Sequence, residues 1–218
     1  MNVESKICGI KTEEALNAAL QGGADYIGLV FYPPSPRYLQ TDTASQLAEL
    51  ARGRTKITCL FVDPTDEYLM EIVPRVQPDY IQLHGKEPPD RVEAIKSITN
   101  KPVIKAIAVE KPQDVALADQ YDNVELILFD SKPDPNIIDP LPGGNGLAFD
   151  WKTLENQSRN RKFMLSGGLN PDNVQTAIAL TKPSAVDVSS GVESRPGVKN
   201  CKLIEQFLSN VQAANLNQ

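Results

Sequence analysis

Few side chains in these 218 residues are equipped for chemistry. There is one histidine, His84, and there are three widely separated cysteines, Cys8, Cys59 and Cys201. A lone histidine and the absence of any CxxC spacing rule out a multi-histidine or paired-cysteine metal site. No metal and no cofactor is expected. Cys8 stands in the short run Lys6-Ile7-Cys8, and Asp130 closes the run Leu126-Ile127-Leu128-Phe129. A cysteine in such a run is either a small buried hydrophobe or a reactive thiol. An aspartate there is costly unless it reaches an exposed mouth or is bonded, so it is either a cap or salt-bridge partner or a working acid. If both face one cavity, one can remove a proton while the other donates one, acid–base chemistry suited to a sugar phosphate.

Other residues fit an anionic ligand. Gly167-Gly168-Leu169-Asn170-Pro171 joins a short apolar run to a helical one, and Ser189-Ser190-Gly191 is a second small-residue turn. Either is a tight turn when taken alone. Together, Gly167, Gly168, Ser189, Ser190 and Gly191 offer backbone N–H donors of the kind that hold phosphate. Arg37 lies in the proline-rich segment Tyr32-Pro33-Pro34-Ser35-Pro36-Arg37. It is either a surface arginine or a guanidinium placed for a carboxylate or phosphate. His84 is read as a hydrogen-bond partner rather than a catalyst.

The elements that must position these residues alternate along the chain. Strands are expected over 5–10, 25–31, 56–62, 80–84, 103–108, 124–130, 162–166 and 185–189. Helices are expected over 13–21 (capped by Thr12), 43–52, 66–76, 88–98, 112–119, 151–156, 172–180 (with Asn170 as cap and Pro171 opening it) and 201–211. Runs such as Ile57-Thr58-Cys59-Leu60-Phe61-Val62 are apolar on both faces, as in parallel strands covered on both sides. Eight βα units in 218 residues fit one compact (β/α)8 TIM barrel filling residues 1–218 as a single domain. The rival, an open doubly wound sheet, lacks its Gly-x-Gly-x-x-Gly fingerprint here. In a barrel, Cys8, Arg37, His84, Asp130 and the two small-residue turns all fall at the C-terminal strand ends, where active sites form.

Composition narrows the partners. The net charge is −6, from 22 Lys+Arg against 28 Asp+Glu, which argues against nucleic acid and anionic membranes. No apolar run is long enough to span a bilayer, and no signal peptide is read at the N-terminus. The unpaired cysteines suit a reducing, cytoplasmic setting. A monomer is expected, with a dimer as the alternative.

Taken in order, these segments resemble phosphoribosylanthranilate isomerase. The resemblance rests on Lys6-Ile7-Cys8-Gly9-Ile10, on Gly28-Leu29-Val30-Phe31-Tyr32 with Ser35-Pro36-Arg37-Tyr38, and on Gln82-Leu83-His84-Gly85. It continues through Phe129-Asp130-Ser131, Gly143-Gly144-Asn145-Gly146 with Phe149-Asp150-Trp151, Leu165-Ser166-Gly167-Gly168-Leu169, and Val186-Asp187-Val188-Ser189-Ser190-Gly191-Val192-Glu193. It implies an isomerase of tryptophan biosynthesis that carries out a cofactor-free Amadori rearrangement of a small phosphorylated sugar substrate. It further implies Asp130 as general acid, Cys8 as general base and Arg37 as holder of the anthranilate carboxylate. The loops after strands 7 and 8 would hold the phosphate, with Asp187 as a supporting acid. Such a base needs a thiol pKa lowered by local positive charge. Gly143, Gly144 and Gly146 suit a closing lid. The chain departs from the family at Leu147-Ala148, where a polar pair is usual.

Three other readings compete. An aldolase would need a Schiff-base lysine at a strand mouth, and Lys105 is the mid-strand candidate. A related histidine-pathway isomerase would place an aspartate at position 8. A binding-only barrel would lack one member of the acid–base pair.

Overall fold

A computed structural model of the chain describes residues 2–132, 143, 149–154 and 161–216. Eight parallel strands close into a barrel in sequence order, with β1 completing the ring against β8. They are β1 (Glu4–Cys8), β2 (Tyr26–Val30), β3 (Lys56–Phe61), β4 (Tyr80–Leu83), β5 (Val103–Val109), β6 (Leu126–Ser131), β7 (Phe163–Leu165) and β8 (Ala185–Val188). The helices are α1 (Glu13–Gln21), α2 (Thr41–Ala51), α3 (Asp66–Val76), α4 (Pro89–Thr99), the short α5 (Pro112–Val115), α6 (Val174–Thr181) and α7 (Cys201–Leu216). None of the described helices is long and apolar enough to cross a membrane.

The strands look uniformly apolar, yet their two faces do different work. Along β6, Ile127 and Phe129 join the large core between barrel and helices, whereas Leu126 and Leu128 join a smaller cluster inside the barrel with Tyr26, Ile104, Ala106, Met164 and Ala185. Side chains alternate across a strand, so Asp130 follows Leu128 inward and emerges at the mouth. The same rule turns Lys6 and Cys8 inward around the outward Ile7, and Gln82 and His84 inward around the outward Leu83. Lys105 lies between the inward Ile104 and Ala106 and therefore points out of the barrel.

Several boundaries differ from the sequence reading. Thr12 caps α1 as expected, its side chain accepting from the Ala15 N–H. Asn170 does not cap a helix opening at Asp172. Its side chain instead accepts from the Asp172 and Asn173 N–H groups in a turn, and α6 begins at Val174. The segment expected as a helix over 112–119 is four residues of α-helix followed by a 3-10 turn, Ala116–Gln120, since so short a stretch gains little from helical hydrogen bonding. Trp151–Leu154 is likewise a 3-10 turn, and the rest of that expected helix lies outside the described residues. A small antiparallel hairpin after β8, β9 (Glu193–Arg195) with β10 (Val198–Lys199), is not evident in the sequence.

Candidate active site

A cleft of about 680 Å³, counting its open side, lies at the C-terminal end of the barrel. Cys8, Arg37, His84, Asp130, Gly143, Gly167, Gly168, Asp187, Ser189 and Ser190 all line it. Gly191 stands just behind: a Cβ there would come within 1.9 Å of the Leu169 carbonyl oxygen, so the loops after β7 and β8 are packed backbone to backbone. Gly167 has φ +83°, and a Cβ on it would lie 2.7 Å from the Ser131 nitrogen, a position that only glycine fills without strain. These two loops bring their backbones to one wall of the cleft. Gly144 and Gly146 lie outside the described residues.

Asp130 is held from two sides. Its Oδ1 accepts from the Ser131 N–H at 2.8 Å, and its Oδ2 lies 3.1 Å from His84 Nε2. Gln82 Nε2 stands 3.0 Å from His84 Nδ1. The amide donor at Nδ1 assigns the imidazole proton to Nε2, which therefore donates to Asp130. Gly143 lies against this pair, since a Cβ on it would fall 2.5 Å from His84 Nε2 and 2.7 Å from Asp130 Oδ2.

Cys8 sits in a charged nest beneath the same mouth. Lys6, fully buried, donates to Asp187 Oδ1 at 2.9 Å, and Ser166 Oγ donates to Asp187 Oδ2 at 3.3 Å. Burial works against the Lys6 charge, but Asp187 and Cys8 beside it outweigh burial and hold its pKa above the usual lysine value. The thiol does not have the lowered pKa that a base was expected to need. Burial pushes Cys8 up and Asp187 adds to this, and the pull of Lys6 and Lys199 in the other direction does not offset it. With these neighbours the thiol is favoured over the thiolate at neutral pH.

Arg37 lies in a loop fixed by Ser35 N–H to Tyr32 O and Tyr38 N–H to Ser35 O hydrogen bonds, with Ser35 Oγ also accepting from the Arg37 N–H. It is buried, and its Nε and Nη2 pair with the two oxygens of Glu193 at 2.8 and 2.9 Å. Lys199 adds a second cation to Glu193. Arg37 and Lys199 overcome the effect of burial and hold the Glu193 carboxyl below its ordinary range. Gln82, Ser166, Glu193 and Lys199 were missed as site residues by sequence reasoning. The alternation that turned His84 inward would also have found Gln82; nothing local marks Lys199. Lys105, the aldolase candidate, does not reach the cleft. It is buried against Glu87 at 2.6 Å on the outer face of the barrel.

Comparison with known proteins places the chain in a family. The family model described as N-(5'phosphoribosyl)anthranilate (PRA) isomerase matches residues 5–210. N-(5'-phosphoribosyl)anthranilate isomerase of Rhizobium rhizogenes is 46% identical over 217 residues, covering 99% of this chain and 97% of the relative. The crystal structure of phosphoribosyl anthranilate isomerase from Thermotoga maritima superposes with a TM-score of 0.86 at 36% identity, covering 97% of this chain and 99% of that one. A phosphoribosyl anthranilate isomerase solved in complex with reduced 1-(O-carboxyphenylamino)-1-deoxyribulose 5-phosphate superposes at 0.83 with 35% identity and the same coverage. The chain belongs to the N-(5'-phosphoribosyl)anthranilate isomerase family and is an isomerase of tryptophan biosynthesis.

Proposed function

We propose that the chain converts N-(5-phosphoribosyl)anthranilate to 1-(2-carboxyphenylamino)-1-deoxyribulose 5-phosphate with Asp130 as general acid and Cys8 as general base. Asp130 gives its proton to the furanose ring oxygen as the C1'–O bond breaks, and the anthranilate nitrogen forms a protonated Schiff base with C1'. The Cys8 thiolate removes the C2' proton. The electron pair of that C–H bond moves into a C1'–C2' double bond and neutralises the nitrogen, giving an enolamine. Tautomerisation moves the enol proton to C1' and leaves the ketone at C2'. Substrate and product are isomers, so the balance needs no external oxidant or reductant.

The observation that carries this reading is that the Cys8 thiol at the end of β1 and the Asp130 carboxylate at the end of β6 face the same cleft as the two packed small-residue loops. Those loops suit the 5-phosphate, and Arg37 suits the anthranilate carboxylate. The relative bound to a reduced phosphorylated ketose supports a ligand of this class. In this reading the Asp130 carboxylate, once its proton is delivered, keeps the Ser131 and His84 N–H donors, and Asp187 holds Lys6 next to the thiol. Gly143, expected from the sequence to be a lid residue, lies against Asp130 and His84.

The test is the fall of anthranilate fluorescence on conversion, coupled to the next enzyme. Cys8→Ala and Asp130→Ala should each abolish turnover while a product analogue still binds, and Arg37→Ala should raise KM. Near-normal turnover by either of the first two variants would remove the corresponding role.

A further inference from the structure

Beside the acid–base pair lies a second cluster of nearly buried charged side chains: Arg37 at 7% exposure, Glu193 at 4% and Lys199 at 2%. Lys199, on β10, is the hub. Its Nζ donates to Glu193 Oε1 at 2.8 Å, the carboxylate that also grips Arg37. It donates to the Ser189 carbonyl at 2.9 Å and to the Ser189 hydroxyl at 3.2 Å. The Ser189 hydroxyl in turn donates to the Cys8 carbonyl at 3.2 Å. One ammonium therefore ties together the segment carrying Arg37, the loop after β8 and the strand end that carries the thiol.

A buried ammonium is an expensive way to close a hairpin, and apolar side chains would do it at lower cost. What only the ammonium supplies is positive charge. The groups facing Cys8 are Lys6 from β1, Asp187 from β8 and Lys199 from β10; those facing Lys199 are Glu193, Cys8 and Arg37. We propose that Lys199 is a positioning residue of this site: it holds Glu193 and Ser189 in register with Cys8 and lends the thiolate a second cation besides Lys6. The proposal rests on the reading of Cys8 as the base.

The test is the rate of Cys8 alkylation by iodoacetamide as a function of pH, followed on the Cys8 peptide so that Cys59 and Cys201 do not contribute. Lys199→Gln keeps hydrogen-bond donors toward Glu193 and Ser189 but loses the charge. Its alkylation midpoint should rise by about one pH unit. Its kcat near neutral pH should fall about tenfold, with recovery as the pH is raised. Lys199→Arg, which keeps the charge, should keep the midpoint. An unmoved midpoint in a folded Lys199→Gln protein overturns the proposal, and Lys199→Met provides the same comparison should the glutamine variant not fold. Alkylation reads the thiol without turnover. Full activity in Cys8→Ala would therefore overturn the base assignment separately, leaving the midpoint comparison valid on its own.

Discussion

His84 Nε2 lies 3.1 Å from Asp130 Oδ2, and the other ring nitrogen is occupied by the Gln82 amide at 3.0 Å. The histidine is thus a donor locked in one tautomer and aimed at the Asp130 carboxyl. A donor aimed at a carboxylate helps most when the carboxylate is charged, which in the proposed mechanism is the state that follows proton delivery.

Replacing His84 by Ala should therefore lower kcat more than it raises KM. A hydrogen bond to a charged group contributes about 1.5–3 kcal/mol, so the expected loss is roughly tenfold to a hundredfold in kcat. Steady-state kinetics on the His84→Ala enzyme check this. A change confined to KM would show that the histidine shapes binding and not proton delivery.

Gly28 makes room for the thiol. A Cβ at this position would fall 2.7 Å from Cys8 Sγ and 3.0 Å from Cys8 Cα. The second contact is with the backbone of β1, which pairs with β2 through Cys8 and Gly28, so it is not relieved by a side-chain rotation. Gly28→Ala should cost about 1–3 kcal/mol of stability by overpacking. It should also move the thiol enough to reduce kcat by more than tenfold. Thermal melts paired with kinetics separate the two effects, and a variant with normal kcat would show that Sγ tolerates displacement.

How much of this was legible in the sequence follows from where each residue sits. Cys8, His84 and Asp130 end runs of strand-forming residues, and period-two alternation, applied to those runs, puts them inside the mouth with Lys6 and Gln82. The Gly167-Gly168 and Ser189-Ser190-Gly191 turns are recognisable because small residues directly after a strand have few other uses. The hairpin Glu193–Lys199 is different. Its Glu, Ser, Arg, Pro, Gly and Lys read as solvated turn; the hairpin folds Lys199 back onto Ser189, and only the closing of the barrel brings Glu193 to Arg37. The direction of the Cys8 shift was misjudged for a related reason. Neighbouring cations can be read from sequence, but the depth of burial that outweighs them cannot.

The Lys105–Glu87 pair supports the loop that carries His84. Glu87 is 1% exposed and Lys105 2%. Besides the lysine, Glu87 accepts from the Asp63 N–H at 2.8 Å and the Gly85 N–H at 3.1 Å. Lys105→Met leaves a buried carboxylate without its cation and should cost about 3–5 kcal/mol. Adding Glu87→Gln should recover part of that loss, because the amide oxygen still accepts from the backbone and no charge is stranded. A double-mutant cycle by urea unfolding measures the coupling, and additive losses would mean the pair is not coupled. Turnover should persist in Lys105→Met, since the lysine lies outside the cleft.

The last consequence concerns pH. Burial holds the free Cys8 thiol above its ordinary value of 9.0 despite Lys6 and Lys199. In the proposed mechanism Cys8 works as base only after losing its proton, and kcat/KM reports the pKa of groups in the free enzyme. As the pH rises toward the thiol pKa, the thiolate fraction grows about tenfold per unit, so kcat/KM should climb through pH 7 to 9 on this group's account. The slope should be steepest at low ionic strength only if exposed charges contribute; the cations here are buried and weakly screened, so added salt should leave the profile in place. Lys6→Met removes the nearer of the two cations and should carry the rising limb further toward alkaline pH. A stopped-flow profile from pH 6.5 to about 10 on both enzymes tests this. A plateau already present at pH 7 in the wild type would show that the working base of the free enzyme titrates below neutrality, which would remove the base role from Cys8.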